Sequence, residues 1–137
     1  MTLDREQYKG LAGFRFALRQ FLAASEVISR RAGVTPQQYQ AMLAVAAWDG
    51  GSMNVKDLAD QLLLTHHAAV QLIDRMAKAG LVERSPSTLD RRSVNLSLTR
   101  KGRTLFNRLA AEHLEQMLQR EPLLTESLRR LRQVRKR

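Results

Sequence analysis

The side chains that could do chemistry in this sequence carry hydroxyl, imidazole, amide and guanidinium groups, and they gather between Thr65 and Arg92. Such groups hydrogen-bond to base edges and phosphates, so they predict contact with DNA. The candidate contacts are Thr65, His66, His67, Ala68, Gln71, Arg75, Arg84, Asp90, Arg91 and Arg92. No phosphate-binding loop, nucleophile motif or Gly-framed pair of carboxylates accompanies them, so we do not expect an enzyme.

A helix of about a dozen residues after Thr65 must position the first six of these candidates. Thr65 can accept hydrogen bonds from the free N–H groups at the helix start, and Gly80 tolerates the left-handed backbone at its end. An apolar stripe at helical spacing predicts the buried face, formed by Ala69, Leu72, Ile73 and Met76. The candidates for base edges in a major groove are Thr65, His67, Ala68 and Gln71. His66 lies towards the flank, and Asp74 with Lys78 predicts an ion pair on the exposed face.

The segment before Thr65 predicts a shorter helix and a turn, which complete a helix-turn-helix. Leu58, Ala59 and Leu62 fall on one face of that helix. Leu63 then stands where many helix-turn-helix turns carry glycine. Because a positive φ strains a residue that has a Cβ atom, we expect a looser turn at Leu63.

Two strands, Leu81–Arg84 and Val94–Leu98, are predicted after the second helix, and the polar loop between them indicates a wing. Arg92 is the candidate for insertion into the minor groove, because a narrow groove has an enhanced negative potential. Asp90 is acidic, which disfavours a phosphate contact. We expect Asp90 to orient an arginine and to shape the turn.

Other cations near the wing are candidates for phosphate contacts. We expect Arg91 and Arg84 to meet phosphates, and Lys101 or Arg103 to do so more weakly. The alternative for Arg84 is an ordinary charge at a strand edge.

With these residues the sequence resembles the MarR family of bacterial transcriptional regulators. The matching segments are Val55–Ala59, Gly80–Arg84, Asp90–Arg92 and Leu98–Gly102, and the last two with their spacing form the family's wing signature. The resemblance implies a mainly α fold with a small antiparallel β wing. It implies a single domain of residues 1–137, with a winged helix-turn-helix at 34–99 and dimerisation helices at 1–33 and 100–137.

The resemblance also implies the partners. A two-fold homodimer would bind double-stranded DNA at a pseudo-palindromic operator, as a repressor that a small aromatic or phenolic effector releases. Residues expected in dimerisation are Leu11, Phe14, Leu18, Leu124, Leu128 and Leu131. Candidates for the effector pocket are Phe14, Arg15, Trp48 and His113, each equally consistent with packing. The long N-terminal helix, predicted from Asp4 to about Arg31, has the alternative of being an ordinary core helix.

The remaining segments predict a capped helix, a short strand and a broken terminal helix. Thr35–Gln38 carries a capping box, and the buried face of its helix is expected at Tyr39, Met42, Leu43, Ala46 and Ala47. Ser52–Asn54 predicts a strand that joins the wing sheet. A helix capped by Thr99 is expected to end near Arg120, because Pro122 has no N–H, and a last helix follows.

The C-terminal end is strongly basic, since six of the nine residues from Arg129 to Arg137 are Arg or Lys. This run favours a solvated and partly disordered tail. Its alternative is extra contact with phosphates or another anionic partner.

The net charge of +10 and an isoelectric point near 11.2 point to a polyanion, nucleic acid or an anionic membrane. A non-specific architectural DNA-binding protein would explain the charge but not a capped helix-turn-helix followed by a wing. No apolar run of about 18 residues and no signal-peptide layout exist, so we expect a cytoplasmic protein without a membrane partner. Without cysteine there is no disulfide or thiol switch, and His66 and His67 diverge along a helix, so we expect neither metal nor cofactor.

Overall fold

A computed structural model describes residues 2–87 and 93–136 of the chain. Within them lie five helices and three strands, in the order α1 (Arg5–Arg31), α2 (Pro36–Ala47), β1 (Met53–Asn54), α3 (Val55–Leu62), α4 (His66–Lys78), β2 (Val82–Pro86), β3 (Val94–Leu98) and α5 (Arg100–Arg135). This mainly helical architecture with a small antiparallel sheet confirms the predicted fold class.

Backbone contacts divide the chain into two compact units. The central unit is Ser29–Ala110, and the terminal unit combines Met1–Ile28 with Ala111–Arg137. The divisions therefore follow residues 28 and 110, whereas the sequence-based division placed them after residues 33 and 99. In the part of the chain that the structure describes, no helix has the sustained apolar stretch needed to cross a bilayer.

The sheet of the central unit has the strand order β1–β3–β2, with both pairs antiparallel. Met53 lies opposite Leu96, and Val82 lies opposite Leu98. These four side chains are buried, because alternate residues of a strand point to the same face and this face packs on the helices. The predicted first wing strand began one residue early, since the Leu81 N–H still bonds to the Met76 carbonyl, 2.9 Å away, and closes α4.

Helices α1, α3 and α4 end with the same pair of backbone hydrogen bonds, a Schellman motif. The residue that makes each turn has a positive φ: Gly33 at 81°, Leu63 at 56° and Gly80 at 74°. The looser turn expected at Leu63 is therefore wrong. Leu63 and Leu64 donate to the Asp60 and Ala59 carbonyls at 3.4 and 2.9 Å. Satisfying these helix-end carbonyls outweighs the strain of a left-handed leucine.

Helix α2 begins with the capping box predicted from Thr35 to Gln38, whose two reciprocal hydrogen bonds are each 3.0 Å long. Its buried face was predicted only in part. Tyr39, Met42 and Ala41 are buried, and Tyr39 stacks on Phe106 with ring centroids 6.1 Å apart. The prediction was wrong for the three exposed residues Leu43, Ala46 and Ala47. The helix is apolar around most of its circumference, so the sequence pattern did not define which side packs.

Helix α5 runs without a break through Pro122, which contradicts the predicted end near Arg120. The missing N–H leaves the Leu118 carbonyl without its helical donor, but Leu118 lies on the exposed surface, where water can replace that donor. Packing beyond the proline supports the helix. The site of a Cβ on Gly10 of α1 lies 3.0 Å from Leu131, and Gln7 Nε2 donates to the Val134 carbonyl at 3.5 Å.

The basic C-terminal run is helical as far as Arg135, so the expectation of a partly disordered tail is wrong for residues 129–135. Its cationic side chains are nevertheless solvated, as predicted. Arg129 pairs with Glu126 at 2.6 Å, and the cations that follow it up to Lys136 are exposed. The apolar residues between them face α1, which explains why the backbone is ordered.

The first turn of α5 lies directly against the start of β2. A Cβ placed on Gly102 would overlap the Leu81 carbonyl oxygen and come within 2.8 Å of its carbon. Thr99 holds this approach, because its N–H donates to the Leu81 carbonyl at 3.1 Å and its Oγ1 accepts from the Gly102 N–H at 2.9 Å. Only glycine fits at position 102, since the opposing atoms belong to the backbone and cannot rotate away.

We predict that Gly102→Ala destabilises the protein by about 3 kcal/mol or more, because a buried backbone overlap must be relieved by moving a helix. Thermal and urea unfolding would measure the loss. The matched control is Arg103→Ala, at the exposed neighbouring position, which should change stability by less than about 0.5 kcal/mol. Equal stability of the two variants would contradict the close approach.

We predict that Leu63→Gly stabilises the protein by about 1 kcal/mol, because glycine adopts the left-handed turn without strain and the leucine side chain is 92% exposed. The control, Gln40→Gly in the middle of α2, should lose about 1 kcal/mol through helix propensity. Urea midpoints of both variants check the pair. Destabilisation by Leu63→Gly would show that the side chain has a packing role.

Candidate nucleic-acid interface

Helix α4 is held in one rotation by its cap and by its apolar stripe. Thr65 accepts a hydrogen bond from the Ala68 N–H at 3.1 Å, which confirms the predicted cap. The predicted stripe of Ala69, Leu72, Ile73 and Met76 is buried, each residue at most 3% exposed. A helix anchored along such a stripe must present its opposite side to solvent.

The opposite side of α4 carries the predicted base contacts. Five of the six candidates are exposed, namely Thr65, His66, His67, Gln71 and Arg75. Ala68 is half-buried. At about 100° per residue, His67 and Gln71 lie near the centre of the exposed side and His66 lies about 100° to one flank. The structure therefore gathers the amide, hydroxyl and imidazole groups on the first two turns, around the N-terminal end of the helix.

Arg84 of β2 forms an ion pair with Asp74 of α4, with Nη1 2.5 Å from Oδ1. This pairing replaces the Asp74–Lys78 pair that the sequence predicted, which is absent among residues 2–87 and 93–136. The prediction failed because strand β2 brings a guanidinium to the helix from ten residues further along the chain. Both side chains are about half exposed, so the pair contributes little stability. It orients Arg84, whose remaining N–H donors stay available.

Strands β2 and β3 form a hairpin whose backbone pairing extends to the base of its loop. The Ser87 N–H donates to the Ser93 carbonyl at 3.1 Å, which continues the β2–β3 ladder by one step. The wing candidates Asp90, Arg91 and Arg92 lie outside the described residues. Their roles remain predictions from the sequence.

Two side chains of the β3–α5 junction hold the C-terminal end of α4. Thr99 Oγ1 donates to the Gly80 carbonyl at 2.5 Å, and Lys101 Nζ donates to the Ala79 carbonyl at 3.0 Å. Lys101 thus places a positive charge at the negative end of the helix dipole. The weak phosphate contact assigned from the sequence to Lys101 or Arg103 stays a prediction, and the structure shows the Lys101 ammonium bonded to the C-terminal end of α4.

The candidate effector residues fall in both units. In the terminal unit Phe14 is half-buried, Arg15 is exposed, and His113 Nε2 lies 2.8 Å from Ser25 Oγ. In the central unit the Trp48 indole packs under Gly50, whose Cβ would lie 3.1 Å from Nε1. The residues predicted for dimerisation all belong to the terminal unit.

Sequence reasoning missed one group of cations, Arg100 and Arg108, which line a groove on α5 together with Lys101. The available signal was their recurrence at four-residue intervals with Thr104, which places them on one side of the helix. No group of three or more His, Cys, Asp or Glu that could hold a metal ion occurs within residues 2–87 and 93–136.

A capped, exposed helix after a tight turn, followed by a two-stranded hairpin, defines a winged helix-turn-helix. Comparison with known proteins agrees. Residues 32–93 match the MarR family. The HTH-type transcriptional regulator FarR of Neisseria gonorrhoeae is 31% identical over 103 residues, which cover 71% of this chain and 69% of FarR.

Solved structures extend the similarity beyond the winged helix-turn-helix. NadR in complex with 4-hydroxyphenylacetate superposes with a TM-score of 0.71 at 27% identity, over 90% of this chain and 86% of NadR. The transcriptional repressor CouR, bound to a 23-mer DNA duplex, superposes with a TM-score of 0.68 at 25% identity, over 77% of this chain and 73% of CouR. The chain belongs to the MarR family, and it is a transcriptional regulator and not an enzyme.

Proposed function

We propose that the protein is a homodimeric repressor that binds a pseudo-palindromic operator and releases it when a small aromatic effector binds. The observation that carries the proposal is the exposed polar side of α4, whose rotation is set by a completely buried stripe. The structurally similar transcriptional repressor CouR has been solved bound to a DNA duplex, which supports the same use of the fold here.

We place the base contacts on Thr65, His67, Ala68 and Gln71, with His66 and Arg75 at the flanks. An amide can make two hydrogen bonds to one adenine in the major groove, so Gln71 is the strongest candidate for sequence readout. Arg92 enters the minor groove beside it, Arg91 and Arg84 contact phosphates, and Asp90 orients an arginine of the wing.

The homodimer is supported by the surface of the terminal unit. Ten large apolar residues there are about half exposed or more, namely Tyr8, Leu11, Phe16, Leu22, Val27, Leu114, Met117, Leu118, Leu123 and Leu128. A soluble monomer rarely exposes so many apolar side chains on one small unit. A second copy that covers them would present two recognition helices to two half-sites.

The effector is supported by NadR, whose solved complex contains 4-hydroxyphenylacetate. We propose Phe14, Arg15, Trp48 and His113 as the residues that contact it. If the effector binds more tightly to the form of the dimer that does not bind the operator, it shifts the population towards that form. Operator affinity then falls by the coupling free energy, which is the same amount by which the operator weakens effector binding. Operator release by a panel of aromatic acids, beginning with 4-hydroxyphenylacetate, tests this part, and an inert response across the panel would refute it.

Selection from random DNA should recover one motif with two related half-sites, bound about 10³-fold or more tightly than random duplex. Gln71→Ala should weaken binding to it by about 1–3 kcal/mol and relax preference at one position in each half-site. Fluorescence anisotropy on the motif and on its single-base variants measures both effects. Gln37→Ala, exposed on α2, is the control. Equal binding to all sequences would instead identify a non-specific architectural protein.

Leu11→Glu should shift the dimer towards monomer by at least tenfold in dissociation constant, because a carboxylate would be buried without a partner in the apolar interface. Sedimentation velocity over a concentration series measures the shift. Gln133→Glu adds the same charge at an exposed position of α5 and should leave assembly unchanged. A monomeric wild-type protein would contradict the proposed dimer.

A further inference from the structure

A groove of about 840 Å³ opens on the side of α5 in the central unit. Its lining consists of Ala32, Arg100, Lys101, Thr104, Leu105 and Arg108. Three of these side chains are cationic, none is acidic, and Leu105 and Ala32 add apolar lining. The volume is in the range of small-molecule sites, which combine an apolar lining with a few polar groups.

Helical geometry explains why these residues share one wall. At about 100° per residue, the five α5 residues lie within about 140° of arc, next to the sector that buries Gly102, Phe106 and Leu109. Arg100 and Arg108 are separated by about 12 Å along the helix axis, with Thr104 and Leu105 between them. Arg103 lies about 60° beyond Arg100 on the helix and is not part of the groove lining.

In the part of the chain that the structure describes, the cations in this wall have no anionic partner. Among residues 2–87 and 93–136, the side chains of Arg100 and Arg108 form no ion pair or hydrogen bond. Thr104 Oγ1 donates to the Arg100 carbonyl at 3.0 Å, so the threonine proton is already engaged. An incoming group must therefore accept from the guanidinium and ammonium groups, and carboxylates and phosphates are the strongest acceptors for both.

One residue of the groove wall also contacts the C-terminal end of helix α4. Lys101 Nζ donates to the Ala79 carbonyl at 3.0 Å, and the Lys101 stem passes 3.7 Å from the site of a Cβ on Gly80. An anion in the groove would compete with Ala79 for this ammonium. Loss of the bond would leave a carbonyl at the C-terminal end of α4 without its charged donor.

We propose that this groove binds a small organic anion, a phosphate ester or carboxylate with an apolar body, and that its occupant draws Lys101 away from the end of α4. The site is formed by the central unit alone and shares no residue with the candidate effector residues. The regulatory part of the proposal rests on the proposed function, because it requires an operator whose affinity can change.

Binding is tested on the full chain by calorimetric titration at constant ionic strength, with phenyl phosphate and benzoate as probes. Inorganic phosphate and phenol separate the anionic from the apolar contribution. Phenyl phosphate should bind more tightly than either of its parts. Arg100→Gln and Arg108→Gln should each weaken it at least tenfold, while Arg103→Gln, on the same helix but outside the groove, should change it less than twofold.

Three results would overturn the site. They are the absence of saturable binding, equal weakening by the Arg103→Gln control, and binding of inorganic phosphate as tight as that of phenyl phosphate. A fourth result would overturn the small-anion proposal by assigning the groove to a different ligand. If Arg100→Gln and Arg108→Gln reduced affinity for duplex DNA and left the small probes unaffected, the occupant would be the DNA backbone.

The coupling is tested by measuring operator affinity with and without saturating phenyl phosphate. The wild type should bind the operator at least threefold more weakly with the anion, and Lys101→Gln, measured at a phenyl phosphate concentration that saturates this variant, should lose most of that response. An unchanged operator affinity in the wild type would overturn the coupling. A protein that binds no operator would refute the proposed function, and the titration would still decide whether the groove binds anions.

Discussion

The approach of α5 to the Leu81 carbonyl is the constraint on which the rest of the central unit depends. Gly102 allows the contact, and Thr99 holds it with its backbone N–H and its hydroxyl. The same short segment binds the end of α4 through the Gly80 and Ala79 carbonyls. Helix α4, strands β2 and β3 and helix α5 therefore meet at one junction. A displacement of any of these elements must strain the hydrogen bonds of the others.

This junction holds the end of α4 in place without placing charge in the core. The buried stripe of α4 carries only apolar groups, so burying this side of the helix leaves no polar side-chain atom unpaired. The charged groups lie at the edges, where Asp74 and Arg84 join helix to strand and Lys101 joins α5 to the helix end. Exposed pairs of this kind orient side chains more than they stabilise the fold.

The two units contrast in how completely they bury their apolar residues. The central unit buries most of its large aliphatic side chains, whereas α1 and the second half of α5 expose many of theirs. Helices that are apolar over so much of their circumference need a second partner. The terminal unit thus leaves more of its apolar surface uncovered, and the junction around Gly102 belongs to the unit that buries more of its own.

Local rules were sufficient wherever the deciding contacts are close in sequence. The capping box at Thr35, the cap at Thr65, the stripe of α4 and the glycine that ends it all follow from spacings of three or four residues, and each is present. Resemblance in the wing segments was enough to indicate the family, because its order and spacing are more specific than a helix-turn-helix alone.

What only the tertiary structure decided involves partners distant in sequence. Pro122 stays inside a helix because residues further on pack against α1, and α2 turns a different side inward because its pattern was apolar nearly all round. Asp74 pairs with Arg84 because a strand places it there. The sequence alone determined elements, caps and family. The choice of partner for each charge and each apolar face depended on which segments folding brings together.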